Sequence, residues 1–161
     1  MLILQGERNV CKDNEEENII YPKATRSDWI GPPNPVSNIR PVVYFIRENE
    51  TAAEKSFREK RVATLAWNQH FWRDHNYSFQ QQREEFIRER LIHLRAQGKE
   101  RQALTSEEMS EFYKKFLDEN HEKHMMYNWS WYCKNVGLIW AALKALVAKS
   151  VGKSSIKMKK L

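Results

Sequence analysis

The chain has 161 residues, 41% of them hydrophobic and 30% charged, with five glycines, five prolines and two cysteines. That is one domain's worth of sequence with enough apolar material for a core, and a mean hydropathy of −0.77 argues against an integral membrane protein. Scarce Gly and Pro argue against a turn-rich β fold, and two unpaired-looking cysteines exclude a disulfide scaffold, a Cys-type zinc domain and a twin-Cys redox protein. The net charge is +6, and all of it sits at one end: Lys144, Lys149, Lys153, Lys157, Lys159 and Lys160 follow Trp140 with no acid among them. The rest of the chain is neutral, so a basic surface gripping DNA is not expected.

Residues 1–27 open on the apolar Met1-Leu2-Ile3-Leu4 and then run polar, with Asp13, Glu15, Glu16 and Glu17 close together. A secretory signal needs about 7–15 apolar residues, and a transit peptide is rich in Arg and poor in acids. The segment matches neither and reads as a poorly ordered N-terminal stretch. Without a secretory signal, the three Asn-x-Ser/Thr sequons starting at Asn49, Asn76 and Asn128 read as chance matches. Residues 28–49 hold four of the five prolines. Pro32, Pro33 and Pro35 lack an N–H and bias their predecessors to extended geometry, so a stiff, extended arm is expected. Val42 to Ile46 is β-prone but has no obvious partner strand, and is expected to pack as an extended segment on helices. Trp29, Ile30, Pro32, Pro33 and Arg40 fit packing first, and also a rigid anchor for a partner.

From residue 50 the pattern is helical. Thr51-x-x-Glu54 is a capping box, and Ala53, Phe57, Thr64, Trp67 and Phe71 share one face, with Leu65 and Trp72 beside it. A break is expected at His75-Asn76-Tyr77, with Ser78-x-x-Gln81 capping a new helix. Phe79, Phe86, Ile87, Leu91 and Leu94 then form a stripe that Gly98 ends. Thr105-x-x-Glu108 is a third capping box, with Leu104 and Met109 placed for a hydrophobic staple. Met109, Phe112, Phe116 and Leu117 supply a core face. A last helical stretch from His121 to Val151 is expected to break near Asn128 or Gly137. The expected fold is all-α: three to four helices over 50–151 in a small bundle or hairpin array, preceded by the Pro-rich extended arm and followed by a Lys-rich tail over 152–161.

Candidate chemistry is sparse. His121 and His124 lie one turn apart beside Met125 and Met126, a set suited to a soft ion such as Cu(I). Surface histidines beside core methionines are the plainer reading. Cys133, among Trp129, Trp131 and Tyr132, reads as a buried inert thiol. Glu84, Glu85 and Glu89 alternate with Arg83, Arg88 and Arg90 as a solvated helix face. No phosphate loop, nucleophile elbow or zinc-protease signature occurs. No enzyme activity, cofactor or small-molecule substrate is expected.

Val136 to Leu143 is continuously apolar, well short of the roughly 20 residues that span a bilayer. Such a helix can be core, or can lie in the membrane interface. In the second case Trp140, Leu143, Leu146 and Val147 face lipid while Lys144, Lys149 and Lys153 meet anionic headgroups, at about 1 kcal/mol each. Lipid contact is preferred over RNA, because no aromatic platform or RNA module accompanies the lysines.

The strings DWIGPPNPVSNIRPVVYFIRENE, WNQHFW at 67–72 and MSEFYKKFLDENHEKHMMYNWSWYCKN at 109–135 resemble, in order, the apoptogenic protein 1 family, also called cytochrome c oxidase assembly factor 8. The resemblance covers roughly residues 28–140. Asp28 to Pro33, Asn38-x-Arg40-Pro41, Trp67-Asn68 with Phe71-Trp72, and Phe112-Tyr113-Lys114 with Phe116-Leu117 carry it. It implies a mitochondrial protein peripheral to the matrix face of the inner membrane. Such a protein supports assembly or protection of cytochrome c oxidase under oxidative stress, with a link to apoptosis. Partners would be oxidase subunits or assembly intermediates, with Trp29, Ile30, Pro32, Pro33, Arg40, Trp67 and Trp72 as candidate contacts, and anionic inner-membrane lipid. The family supplies no catalytic residues. The start of the chain and its Lys-rich end depart from the family pattern. The competing readings are a basic helical RNA-binding or mitoribosome-associated protein, and a haem or copper handler using His121 and His124.

Overall fold

The computed structural model of the protein describes residues 22–99 and 101–158, with side chains described through residue 151. Expectations for residues 1–21, Lys159 and Lys160 lie outside the described residues. Two short strands, β1 (Trp29–Ile30) and β2 (Val42–Val43), precede two long helices, α1 (Ala52–Ala96) and α2 (Ser106–Met158). At 1.5 Å per residue the helices are about 68 and 80 Å long.

The caps lie where the sequence puts them. Thr51 accepts from the Glu54 backbone N–H at 3.2 Å, and the Glu54 carboxylate accepts from the Thr51 N–H at 3.0 Å. The same reciprocal pair joins Thr105 and Glu108 at the start of α2. At the end of α1, Gly98 takes φ 75°, the left-handed geometry that glycine adopts without steric cost. Its N–H donates to Arg95 O and the Lys99 N–H to Leu94 O, both at 3.0 Å, closing a Schellman turn.

The expected three or four helices are corrected to two among the described residues. At the first expected break, His75 is buried against α2 and Asn76 donates its side-chain amide to Val36 O at 2.8 Å. That amide is therefore not competing for the helix's own backbone. Ser78 accepts from the Gln82 side chain at 2.9 Å instead of capping a new start. Asn128 and Gly137 likewise lie inside continuous α2. A mid-helix glycine costs about 1 kcal/mol relative to alanine, too little to break a helix held by its neighbours. Residues 152–158, expected as the start of a tail, continue the helix.

The helices run antiparallel, and their seam is aromatic. Phe79 packs against Phe112 and Phe116 at 5.7 and 5.1 Å between ring centroids, and Phe86 against Phe112 at 5.5 Å. Trp67 stacks on Tyr127 at 5.1 Å. Leu94, Phe112, Phe116, Ala141 and Ala145 are the buried apolar residues of the pair. Leu117, expected in this face, is exposed.

The arm is not extended throughout, which corrects a second expectation. Val42–Val43 does find a partner: it pairs antiparallel with Trp29–Ile30, in register Trp29 opposite Val43 and Ile30 opposite Val42. The chain reverses because the Asn34 side-chain oxygen accepts from the Val36 and Ser37 N–H groups at 2.9 Å, an Asx turn, and Asn38 sits at φ 58°. Gly31 is required at the crossing, since a Cβ there would lie 2.7 Å from the Trp29 ring and 2.8 Å from Pro41.

Phe116 is 3% exposed at the centre of the seam. Phe116→Ala is expected to destabilise the hairpin by about 3 kcal/mol, measured as a lowered urea midpoint with unchanged denaturant slope. An unchanged midpoint would mean that the two helices do not depend on this seam.

Candidate functional site

The arm is fastened along α1. Asp28 accepts the Phe45 N–H at 2.9 Å through one oxygen and meets Arg61 at 3.2 Å through the other. The Arg61 guanidinium also lies over the Tyr44 ring, 3.9 Å from its centroid. Arg58 clasps Glu50 in a two-pronged pair, both contacts 2.8 Å, and this hydrogen bonding holds the Glu50 carboxyl below its usual range. Glu54 is lowered as well, first by the Thr51 backbone N–H.

The seven candidate partner residues divide between two places. Ile30, Pro32, Pro33 and Arg40 stand exposed on the arm, with Arg40 donating to Gly31 O at 3.1 Å, and Trp29 is half-buried. Trp67 and Trp72 lie in the α1–α2 seam instead. Trp72 donates its indole N–H to the Tyr127 hydroxyl at 2.8 Å, and Tyr127 donates on to Asn68. Lys134 lies 4.8 Å over the Trp67 ring.

The two weak metal candidates, His121 and His124, differ in their surroundings. His121 is exposed, whereas His124 turns into the seam and meets His75, Nε2 to Nε2 at 3.1 Å. Among the described residues no cluster of three or more His, Cys, Asp or Glu could hold a metal. Phe71, Trp72 and Phe116 surround this pair. His75 is invisible as a site in the sequence, because its partner lies 49 positions away. Burial lowers its pKa, with His124 and Lys123 adding to the shift.

Met125 and Met126, expected in the core, are exposed, and so is Cys133, expected to be buried. The reason is the direction of α2's apolar faces. Small residues, Ala141 and Ala145, point inward and allow the rest of the protein to approach closely. Large ones point outward. Met125, Trp129, Tyr132, Val136, Ile139, Leu143 and Leu146 recur at alternating steps of four and three, with Met126, Cys133, Trp140 and Val147 beside them, all exposed. Trp129 is 69% exposed, Val136 66% and Val147 63%. From Met125 to Val151 this face runs about 39 Å. Glu122 is the last acid of the chain, so no negative charge interrupts it.

The candidate lipid-facing residues Trp140, Leu143, Leu146 and Val147 therefore share this open face. Lys144 borders it, its ammonium 5.5 Å from the Trp140 ring. Lys149 borders the other edge and reaches Glu54 at 3.9 Å. Lys153 lies within α2, and its side chain is outside the described ones. No helix among the described residues is long and apolar enough to cross a membrane.

The architecture is that of a small helical-hairpin protein, clasped by a proline-rich arm and left apolar along one helix face. The chain belongs to the cytochrome c oxidase assembly factor 8 family, whose model matches residues 27–151. It is 43% identical over 159 residues to the Bos taurus protein of that name, covering 96% of this chain and 83% of the relative. The Homo sapiens protein is 41% identical over 143 residues, 86% of this chain and 69% of the relative. A Drosophila melanogaster family protein, named mitochondrial, is 42% identical over 121 residues, 75% of this chain and 65% of the relative. No solved structure matches the chain.

The buried His75 carries a pH consequence. Its folded pKa lies below the ordinary 6.5, so between those two values the unfolded chain holds a proton that the folded chain does not. Unfolding then takes up a proton, and stability is full above pH 6.5 and declines as pH falls through it. A His75→Gln variant is expected to flatten the pH dependence of the urea midpoint between pH 7.5 and 5.5 relative to wild type. Parallel pH profiles would remove His75 as the source.

Proposed function

We propose that this chain is a non-enzymatic mitochondrial factor that supports assembly or protection of cytochrome c oxidase, acting peripherally on the matrix side of the inner membrane. Membership of a family whose relatives are named as oxidase assembly factors supports the oxidase role. The observation that carries the mode of action is the open face of α2. A run of exposed Trp, Leu, Val and Ile along about 39 Å of helix is far larger than a monomer in water ordinarily leaves uncovered. Its borders are lysine and its length is free of acid, which suits the headgroup region of an anionic bilayer. Trp129, Tyr132 and Trp140 fit the same boundary, where amphipathic rings settle.

The exposed arm residues Ile30, Pro32, Pro33 and Arg40 form a separate, rigid surface for an oxidase subunit or assembly intermediate. Trp29 belongs to the arm's own hairpin, whereas Trp67 and Trp72 hold the α1–α2 seam. In this reading one part of the molecule holds lipid and another holds the client. The link to oxidative stress and apoptosis is part of the same proposal and rests on the family resemblance.

Two measurements test it. In cells lacking the protein, native gels should read an isolated loss of assembled oxidase, restored by re-expression. Normal oxidase would sink the assembly role. A Trp140→Ser, Leu143→Ser, Val147→Ser variant changes only outward side chains, so its circular dichroism should match wild type. It is expected to lose vesicle binding at least tenfold, since each side chain transferred from water contributes of order 1–2 kcal/mol. Lys144→Gln should lose a few-fold, in a salt-dependent way. Wild-type affinity in the triple variant would end the lipid role of this face.

A further inference from the structure

We infer that the groove between the arm and the C-terminal part of α2 binds the phosphodiester headgroup of an anionic phospholipid, whose chains lie against the outer face of α2. The inference rests on the membrane reading above and names the ligand chemistry and its site.

The groove has a volume of about 570 Å³ and opens beside a second depression of about 900 Å³. The two share Phe45, Arg47, Glu54 and Lys149. Five cations face three carboxylates across the first. Two of these cations are committed to the fold, Arg58 to Glu50 at 2.8 Å and Arg61 to Asp28 at 3.2 Å. The remaining three are Arg26, Arg47 and Lys149, and the one acid left is Glu54. Its Oε2 is already occupied by the Thr51 backbone and hydroxyl. Its Oε1 is approached by both Arg47, at 3.7 Å, and Lys149, at 3.9 Å, each beyond hydrogen-bond length. Among the described residues Arg26 has no ion-pair partner. The second depression adds one charge of each sign, Lys23 and Glu48, so the surplus rests on Arg26, Arg47 and Lys149. Positive charge is thus in surplus and loosely held, and it converges on one opening. Guanidinium and ammonium groups so arranged select a phosphate oxygen.

What makes the occupant a lipid is the wall on the other side. Ala142, Ala145 and Leu146 of α2 line the groove, and Leu146 also belongs to the open apolar face. The lining therefore passes from cations to aliphatic surface within one helical turn. A headgroup fits the first and an acyl chain the second. Lys149 stands at the border between them, at the height where phosphates lie when the apolar face is in the bilayer.

The test compares binding of the full chain to phosphatidylglycerol vesicles and to phosphatidylcholine vesicles. The groove variant is Arg26→Gln with Arg47→Gln, which leaves the Lys149–Glu54 contact and both fold-holding pairs in place. The control is Arg95→Gln with Lys99→Gln, the same loss of charge at the far end of α1. Equal urea midpoints establish that both fold. The groove variant is expected to lose about tenfold in phosphatidylglycerol binding and the control about twofold or less. Excess inorganic phosphate should leave the wild type bound. Equal losses in the two variants would overturn the site while the membrane reading stands. Release by inorganic phosphate would overturn the lipid assignment in favour of free phosphate. Wild-type failure on every vesicle would overturn the membrane reading itself.

Discussion

The aromatic seam between α1 and α2 is the constraint on which the rest of the protein depends. Two helices alone have a single mutual interface, and a chain of this size must make that interface count. It does so with rings. Phe79, Phe86, Phe112 and Phe116 interlock nearest the turn, and Trp67, Trp72 and Tyr127 further along. Large rigid side chains bury much surface at small entropic cost and fix the register of one helix on the other. The Trp72–Tyr127–Asn68 hydrogen bonds tie that register to polar groups that have one arrangement. Once the seam is set, so is the direction of every other face.

The arm depends on that direction. It lies against α1 through Asp28, Glu50 and Val36, which meet Arg61, Arg58 and Asn76. These contacts span about 27 Å of helix. The arm is stiff because its prolines and its Asx turn remove freedom before docking, so less entropy is lost on contact. The same contacts shape the cationic groove, since Arg47 comes from the arm and Lys149 from α2. Groove and arm are therefore one feature seen from two sides.

The outer face of α2 is the remainder. With one partner helix, α2 can cover only one of its two apolar sides: it turns Phe112, Phe116 and Tyr127 inward along its first half, and beyond them only the small Ala141 and Ala145. Beyond Tyr127 the usual arrangement of a helix in a globular protein, large side chains inward, is inverted. A helix so built leaves apolar surface in water, with lysines along its borders. On the function proposed above, the molecule works by contact, between a membrane surface on one side and a rigid arm on the other.

The sequence by itself determined the helical character, both ends of α1, the start of α2 and the phenylalanine and tryptophan rings of the seam. Capping boxes at Thr51 and Thr105 and the glycine at 98 are local, and their hydrogen bonds close within a few residues. The rings at 67, 71, 79, 112 and 116 are legible from periodicity alone. The ordered strings of the arm, of 67–72 and of 109–135 together carried the family resemblance. Tertiary structure decided the rest. Asn76 carries a local signal for a break that its bond to Val36 overrules, and Gly137, exposed within α2, costs the helix too little to break it. The hairpin of Trp29–Ile30 with Val42–Val43 was hidden because two-residue strands leave no alternation to read. His124, read as a surface histidine, meets His75 in the seam, and Met125, Met126 and Cys133 came out instead of in. Periodicity reports that a helix has an apolar side, but it cannot say which of two apolar sides finds a partner. That choice belongs to the shape of α1, and it is what left the outer face of α2 open.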